Sequence, residues 1–131
     1  MPRHLRTLLL GFEEAEARAL TALLERLASF ETAQTIPEML RLAARQDFDA
    51  LLCAWSFPAG TWRDALREIR IVEPELLTVV VCRTGQEAEW LEALDAGAFD
   101  LLAAPYSESA VVRLLEQVAA NCRKRALGAA A

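Results

Sequence analysis

The sequence has few of the residues from which catalytic and metal sites are usually built. It contains one histidine, His4, and a single histidine completes neither a zinc site nor a Ser-His-Asp triad. Its three cysteines, Cys53, Cys82 and Cys122, show no CxxC or other metal-type spacing. Two of them lie inside apolar runs, where a thiol behaves as a small hydrophobic group. An odd number of buried thiols favours a reducing compartment, so we expect a cytoplasmic protein.

The sequence also lacks the loops that bind nucleotides and the long apolar runs that cross membranes. No GxGxxG or GxxxxGK[ST] pattern is present, so nucleotide binding has no support. No apolar run approaches the length of a bilayer span, and the start of the chain lacks the apolar core and cleavage site of a signal peptide. We therefore expect no contact with a membrane.

What the chain does contain is typical of one globular domain. Hydrophobic residues make up 54% of its 131 residues and charged residues 25%, which suffices for one buried core. We expect a single domain over residues 1–131, with a core from about 6 to 120 and a frayed tail at 123–131. The 14 Lys and Arg against 19 Asp and Glu give a net charge of −5. This balance argues against direct nucleic-acid binding, which needs clustered cations.

Short apolar runs alternate with segments of helical periodicity, five times over. The runs typical of buried strands lie at 7–10, 30–34, 49–54, 77–82 and 99–102. The fourth of them, LTVVVC, is rich in β-branched residues and free of charge, as is typical of the centre of a parallel sheet. Strands that alternate with helices predict an α/β fold, a doubly wound (βα)5 domain with a five-stranded parallel sheet.

The predicted helices are defined by their apolar faces. The first carries Leu20, Leu23, Leu24 and Leu27, and the second opens at Pro37. The third carries Trp62, Leu66 and Ile69, and the fourth carries Leu91 and Leu94 facing the sheet. The fifth carries Val111, Leu114, Leu115 and Val118. Gly97 suits the left-handed end of the fourth helix. Ser107 suits the N-cap of the fifth helix.

In such folds a ligand binds at the carboxyl ends of the strands. The residues expected there are Gly11 and Phe12 after the first strand, Ala54 after the third, Cys82 to Thr84 after the fourth and Ala104 after the fifth. Nearly all are neutral, whereas magnesium prefers hard oxygen ligands, usually carboxylates. We therefore expect no metal site and no Mg²⁺ cofactor at this edge of the sheet.

One segment resembles a known family. Residues 96–106, AGAFDLLAAPY, resemble the fifth-strand signature AGAxDYLxKPF of response-regulator receiver domains. The FDALL sequence at 48–52, Pro58, Gly60 and the helix before Pro74 also match. The resemblance covers roughly residues 6 to 120 and implies a CheY-like, flavodoxin-type fold with strand order 2-1-3-4-5.

The family's functional residues, carried over one by one, are all replaced in this chain. The acidic pair that holds magnesium corresponds to Gly11 and Phe12, the phospho-accepting aspartate to Ala54, the hydroxyl that reports phosphorylation to Cys82, the phosphate-pairing lysine to Ala104, and the strand-five aromatic to Leu101. Glu13 and Glu14 would replace the acidic pair if the first strand ran two residues longer. Neither register supplies an aspartate at position 54.

The resemblance also implies an interaction surface. Receiver domains dimerise or meet targets through the fourth helix, fifth strand and fifth helix, where Trp90, Leu101 and Leu114 would lie. The alternative for Trp90 is that it covers core at the edge of its helix. Trp62 is expected to pack between helix and sheet, and Trp55 to fill the pocket or shield its mouth.

These observations predict a degenerate receiver that acts without phosphorylation, in two-component-type signal transduction or transcriptional regulation. It would bind a protein partner or itself as a homodimer, with a possible C-terminal output domain in a longer protein, and it would not be an enzyme. The first alternative is a small ligand-binding or enzyme domain that uses the strand-end crevice, with Cys82 or Ser56 as reactive group. The second is a conventional receiver phosphorylated on a displaced acidic residue.

Overall fold

Strands and helices alternate throughout the computed structural model, which describes residues 4–25, 27–58, 60–82, 87–103 and 106–130. The strands are β1 Leu5–Leu10, β2 Ala28–Ala33, β3 Ala50–Ala54, β4 Ser56–Phe57, β5 Gly60–Thr61, β6 Leu77–Cys82 and β7 Asp100–Ala103. The helices are α1 Glu14–Leu24, α2 Ile36–Arg45, α3 Trp62–Val72, α4 Glu87–Asp95 and α5 Glu108–Ala130.

Five of the strands form one parallel sheet in the order β2-β1-β3-β6-β7. Because β6 and β7 are the fourth and fifth strands of this sheet, the predicted fold and the predicted order 2-1-3-4-5 are confirmed. Strands β4 and β5 form a separate antiparallel pair, which the sequence pattern does not predict. Two-residue strands are too short to show a periodic pattern in the sequence.

The sheet separates two apolar cores. Helices α1 and α5 cover one face, to which they contribute Leu20 and Leu115. Helices α2, α3 and α4 cover the other, with Met39 from α2 and Ile69 from α3. Since successive side chains of a strand point to opposite faces and both faces are covered, the central strands are apolar apart from Arg6, Thr7 and Thr78.

The helix starts follow the capping signals of the sequence. Thr35 accepts a hydrogen bond from the Glu38 N–H at the start of α2, where Pro37 occupies the first turn. Thr61 and Asp64 form a reciprocal capping box at the start of α3. The Ser107 hydroxyl accepts from the Ala110 N–H at 3.1 Å, which confirms the predicted N-cap of α5.

Two of the predicted helix faces are wrong in part. Leu23 on α1 is 39% exposed and Leu91 on α4 is 48% exposed, whereas Ala17 and Ala93 are buried in their place. Small alanine side chains let a helix approach the sheet closely. In both helices an alanine therefore faces the sheet and a leucine faces the solvent. The side chain of Leu24 lies outside the described part, and Leu27 follows the end of α1.

The ends of the elements differ from the prediction by a few residues. Strands β1 and β2 each begin two residues earlier than predicted, β3 and β7 each begin one residue later, and β6 matches its predicted range. Helix α5 continues to Ala130, where a frayed tail from residue 123 was predicted. The segment is rich in alanine and contains no proline, which favours helix. No helix in the described ranges is both long and apolar enough to cross a membrane.

Gly97 ends α4 in the way its sequence position predicts. Its φ is +104°, a left-handed value that favours glycine. The Gly97 N–H donates to the Leu94 carbonyl at 3.0 Å and the Ala98 N–H donates to the Ala93 carbonyl at 3.0 Å, the pair of bonds of a Schellman motif. A Cβ at Gly97 would also overlap the Arg70 guanidinium.

We expect Gly97→Ala to lower the free energy of unfolding by about 1–3 kcal/mol, because the left-handed backbone is strained for alanine. Urea unfolding of the wild type and the variant measures the difference. Gly97→Ala combined with Arg70→Ala separates the overlap from the backbone strain, since only the overlap is relieved. A Gly97→Ala variant as stable as the wild type would contradict this account.

Candidate functional site

A cavity of about 580 Å³ opens at the carboxyl ends of the central strands. Its lining includes Gly11, Phe12, Ala54 and Cys82, so the structure brings together these residues predicted to form the pocket. Leu101 is half-buried on β7 and packs against the core beneath α2, α3 and α4. Ala104 lies outside the described residues, as does Pro105 next to it.

The end of β1 determines which residues enter the cavity. Strand β1 ends at Leu10 and α1 begins at Glu14, so Gly11 and Phe12 directly follow the strand. Gly11 has a φ of +82°, and a Cβ there would lie 2.8 Å from the side chain of Phe57. Phe12 is only 3% exposed. Strand β1 therefore does not extend the two further residues that would place Glu13 and Glu14 directly after its end.

Ala54 lies at the end of β3, in the floor of the cavity. The adjacent backbone is held in the sheet, because the Trp55 N–H donates to the Val81 carbonyl at 3.0 Å. Ala54 packs toward the core of α1 and α5, whereas Cys53 packs into the opposite core, as the alternation of the strand predicts. Burial raises the pKa of the Cys53 thiol to about 12, so this thiol stays protonated at neutral pH.

Two tryptophans connect the cavity wall with the interior. Trp55 lines the cavity and packs on Trp62, with ring centroids 5.4 Å apart. Trp62 is 1% exposed, which confirms its predicted place between helix and sheet. The Arg63 guanidinium lies 5.0 Å from the centre of the Trp62 ring and forms an ion pair with Glu92 of α4, so one side chain contacts both α3 and α4.

The cavity also contains three carboxylates, of which only Glu13 was a candidate from the sequence. Glu13, Glu16 and Glu89 line it. Glu13 is the N-cap of α1 and Glu16 lies in its first turn, a separation of three residues that brings side chains to the same side of a helix. The Tyr106 hydroxyl donates a hydrogen bond to Glu16 at 3.2 Å.

These carboxylates do not reproduce a receiver-type magnesium site. Where the resemblance implies carboxylate ligands, the chain has Gly11, Phe12 and Ala54. Among the residues that the structure describes, no three His, Cys, Asp or Glu side chains are arranged to hold a metal ion. Gly11, Phe12 and Ala54 carry none of the carboxylate oxygens that Mg²⁺ prefers as ligands.

The three predicted interface residues have different surroundings. Trp90 is 43% exposed on α4, and Leu101 is half-buried on the edge strand β7. Leu114 is only 4% exposed and belongs to the core beneath α1 and α5, so its predicted place at an interface is wrong. It faces the sheet together with Val111 and Val118, which follow the same helical spacing. The exposed apolar neighbour of Trp90 is Leu91 instead.

Tyr106 should titrate well above the usual range for tyrosine. Burial raises its pKa to about 12, and the negative charge of Glu16 and the hydrogen bond to it add to the shift. Because the folded-state pKa exceeds the unfolded value, the associated stability is present below pH 10.0 and is lost as the pH rises toward 12.

We expect the tyrosinate absorbance of the folded protein to appear only near pH 12, and Glu16→Gln to move its onset toward lower pH. Tyr106 is the single tyrosine of the chain, so the ultraviolet titration is unambiguous. Glu116→Gln, an exposed position on α5, is the matched control and should leave the titration unchanged. Identical titrations of the wild type and Glu16→Gln would show that Glu16 does not act on Tyr106.

Similarity to known proteins extends over sequence and fold. No family model matches the chain. It is 38% identical to the chemotaxis protein CheY of Thermotoga maritima over 55 residues, which are 42% of this chain and 46% of that protein. It is 32% identical to the response regulator protein PilR of Pseudomonas aeruginosa over 94 residues, 72% of this chain and 20% of PilR. The chain thus spans less than half the length of either relative.

The fold is shared with solved receiver domains. The receiver domain of a sensor histidine kinase from Pseudomonas aeruginosa superposes with a TM-score of 0.78 at 23% identity, over 90% of this chain and 99% of that one. That structure has a magnesium ion coordinated in its active-site cleft. With the five-stranded sheet, its strand order and the cavity at the strand ends, these similarities show that the chain has the CheY-like fold of response-regulator receiver domains.

Proposed function

We propose that this receiver domain acts without phosphorylation, as a protein-interaction module in two-component-type signal transduction or transcriptional regulation. The observation that carries the proposal is Ala54, whose methyl group lies in the floor of the cavity where the family's phospho-accepting aspartate would be. A methyl group has no oxygen and no lone pair to attack a phosphoryl donor. We further propose that the domain is cytoplasmic and is not an enzyme.

The packing around the cavity supports this proposal. Carboxylates in one cluster repel each other unless a cation binds them, and the uncharged residues Gly11, Phe12 and Ala54 add nothing to the repulsion among the glutamates that line the cavity. Phe12 is buried at 3% exposure, and burial of an aromatic side chain stabilises a fold by about 1.5–3 kcal/mol. At Phe12 the wall of the cavity is therefore packed by an apolar side chain, with no metal ion or phosphoryl group contributing to the packing.

The interaction would use the surface around α4. Trp90 and Leu91 are 43% and 48% exposed, and exposed aromatic residues with apolar neighbours frequently anchor protein interfaces. The surface extends toward β7, the edge strand of the sheet. The partner is another protein or a second copy of the chain, and an output domain in a longer regulator is part of the same proposal.

The size of the cavity favours a second candidate function, the binding of a small ligand. A volume of about 580 Å³ lies within the usual range of ligand pockets. An enzyme built on Cys82 or Ser56 would also need a base. His4, the single histidine, directly precedes β1 at the amino end of the sheet, which is the edge opposite to the cavity, so it cannot serve as that base.

We expect no covalent or beryllofluoride adduct on the folded protein. After incubation with acetyl phosphate and magnesium, the intact mass should stay unchanged, because residue 54 carries no carboxylate. A receiver domain that retains its aspartate is the positive control for the reagents. A stable mass increase of one phosphoryl group would contradict the proposal and would support phosphorylation of a displaced acidic residue.

We also expect millimolar magnesium to leave the melting temperature and the tryptophan fluorescence unchanged. The reason is that Gly11, Phe12 and Ala54 carry no carboxylate that could coordinate the ion. Trp55 lines the cavity, so its emission would respond to an ion bound there. Phe12→Asp combined with Ala54→Asp is the matched variant, and it should gain a magnesium response that the wild type lacks. A saturable change in wild-type fluorescence would contradict the expectation.

A further inference from the structure

The cavity at the strand ends has an aromatic wall. Phe12, Trp55 and Phe57 line it, the two phenylalanines buried and Trp55 half-buried. Trp55 packs on the buried ring of Trp62, with ring centroids 5.4 Å apart, so a core side chain supports it from behind. A cavity of about 580 Å³ with several aromatic side chains is typical of a site for an organic molecule.

Negative charge reaches this cavity from both faces of the sheet. The charged residues of the described lining are Glu13, Glu16 and Glu89. The first two lie at the start of α1, which covers one face of the sheet, and Glu89 lies on α4, which covers the other. Glu13 is exposed, whereas Glu16 and Glu89 are half-buried. The Tyr106 hydroxyl donates to the Glu16 carboxylate at 3.2 Å and so holds it in place.

This charge pattern disfavours an anionic ligand. A helix N-terminus by itself attracts anions, but α1 has Glu13 as its N-cap and Glu14 and Glu16 in its first turn. Like charges at short distance disfavour each other. Among the lining residues that the structure describes, none is a lysine, arginine or histidine that could pair with an anion. A phosphate or carboxylate ligand would therefore meet repulsion at this site, and a cation would meet attraction.

The arrangement of the carboxylates also favours a large cation over a metal ion. Three glutamates line the cavity, yet in the described ranges no three acidic, histidine or cysteine side chains are grouped to hold a metal. The negative charge is thus distributed around the cavity and is not gathered at one point. Distributed carboxylates beside aromatic rings match an organic cation, because the face of an aromatic ring also attracts positive charge.

We propose that the cavity binds an organic ammonium ion with an apolar body. The apolar body would contact Phe12, Trp55 and Phe57, and the ammonium group would lie beside the glutamates of the lining. The inference rests on small-ligand binding, the second candidate function proposed above, and adds the charge and the chemical class of the ligand.

The test compares two probes of nearly the same shape, 2-(1-naphthyl)ethylammonium and the neutral 2-(1-naphthyl)ethanol. Isothermal titration calorimetry with the full chain measures both dissociation constants. We expect the ammonium ion to bind at least about tenfold more tightly than the alcohol, because only its charge interacts with the carboxylates and the aromatic faces. Chemical-shift changes of the Trp55 indole, assigned with Trp55→Phe, should accompany binding and locate the probe in the cavity.

Matched variants separate the cavity from general acidity. Glu13→Gln and Glu89→Gln each remove one charge from the lining with little change of shape. Each should weaken ammonium binding about three- to tenfold and leave alcohol binding unchanged. Glu14→Gln removes the same charge from an exposed neighbour that is not part of this lining, and it should leave both affinities unchanged. Circular dichroism verifies that each variant is folded.

Equal affinity for the two probes, or ammonium binding that neither Glu13→Gln nor Glu89→Gln weakens, would overturn the inference while small-ligand binding still stands. Binding that leaves the Trp55 indole signal unchanged would place the probe outside the cavity and would also overturn it. If neither probe binds, both the inference and small-ligand binding at this site are wrong. A phosphoryl adduct would overturn the phosphorylation-independent function without changing these titrations, so the proposals fail in distinguishable ways.

Discussion

The burial of the central strands on both faces is the constraint on which the rest of the structure depends. Strands β1, β3 and β6 lie inside the sheet and are covered by two helices on one face and three on the other. Their buried positions are therefore apolar apart from Thr7 and Thr78, and the residues that can vary in chemistry without loss of the core lie at their carboxyl ends. A residue at a strand end can therefore vary in its chemistry while the fold persists, and Ala54 lies at such a strand end, in the lining of the cavity.

A series of side-chain contacts connects the cavity with α4. Trp62 fills the space between α3 and the sheet, so Trp55 packs against it at the cavity wall. Arg63 lies over the Trp62 ring and pairs with Glu92, which fixes one flank of α4 against α3. With that flank occupied and Ala93 turned to the sheet, the opposite flank with Trp90 is the exposed one. The residues that could act on other proteins are thus exposed because of how the helix is packed.

Much of this arrangement could be predicted from the sequence, for a physical reason. Strand β6 matches its predicted range because five of its residues are buried, and two-sided burial produces an uncharged, β-branched run. The strand-end positions follow from the same runs, so Gly11, Phe12, Ala54 and Cys82 were placed correctly in the cavity.

Other features could not be predicted because the sequence pattern does not determine them. Leu91 and Leu114 each belong to an apolar helical pattern in the sequence, yet Leu91 is exposed and Leu114 is buried. Which side of a helix faces the sheet depends on the elements packed beside it. The approach of Tyr106 to Glu16 joins residues 90 positions apart, which no local pattern reveals. The hairpin of β4 and β5 consists of two-residue strands, too short for a periodic signal.

The central claim is that the pocket no longer switches the surface around α4. The most direct measurement is the ¹H–¹⁵N correlation spectrum of the labelled protein before and after addition of magnesium and beryllofluoride. The account predicts superimposable spectra, including the indole signals of Trp55 and Trp90. Chemical-shift changes that begin at Ala54 and extend to Trp90 would contradict it, because they would show a working phosphorylation switch.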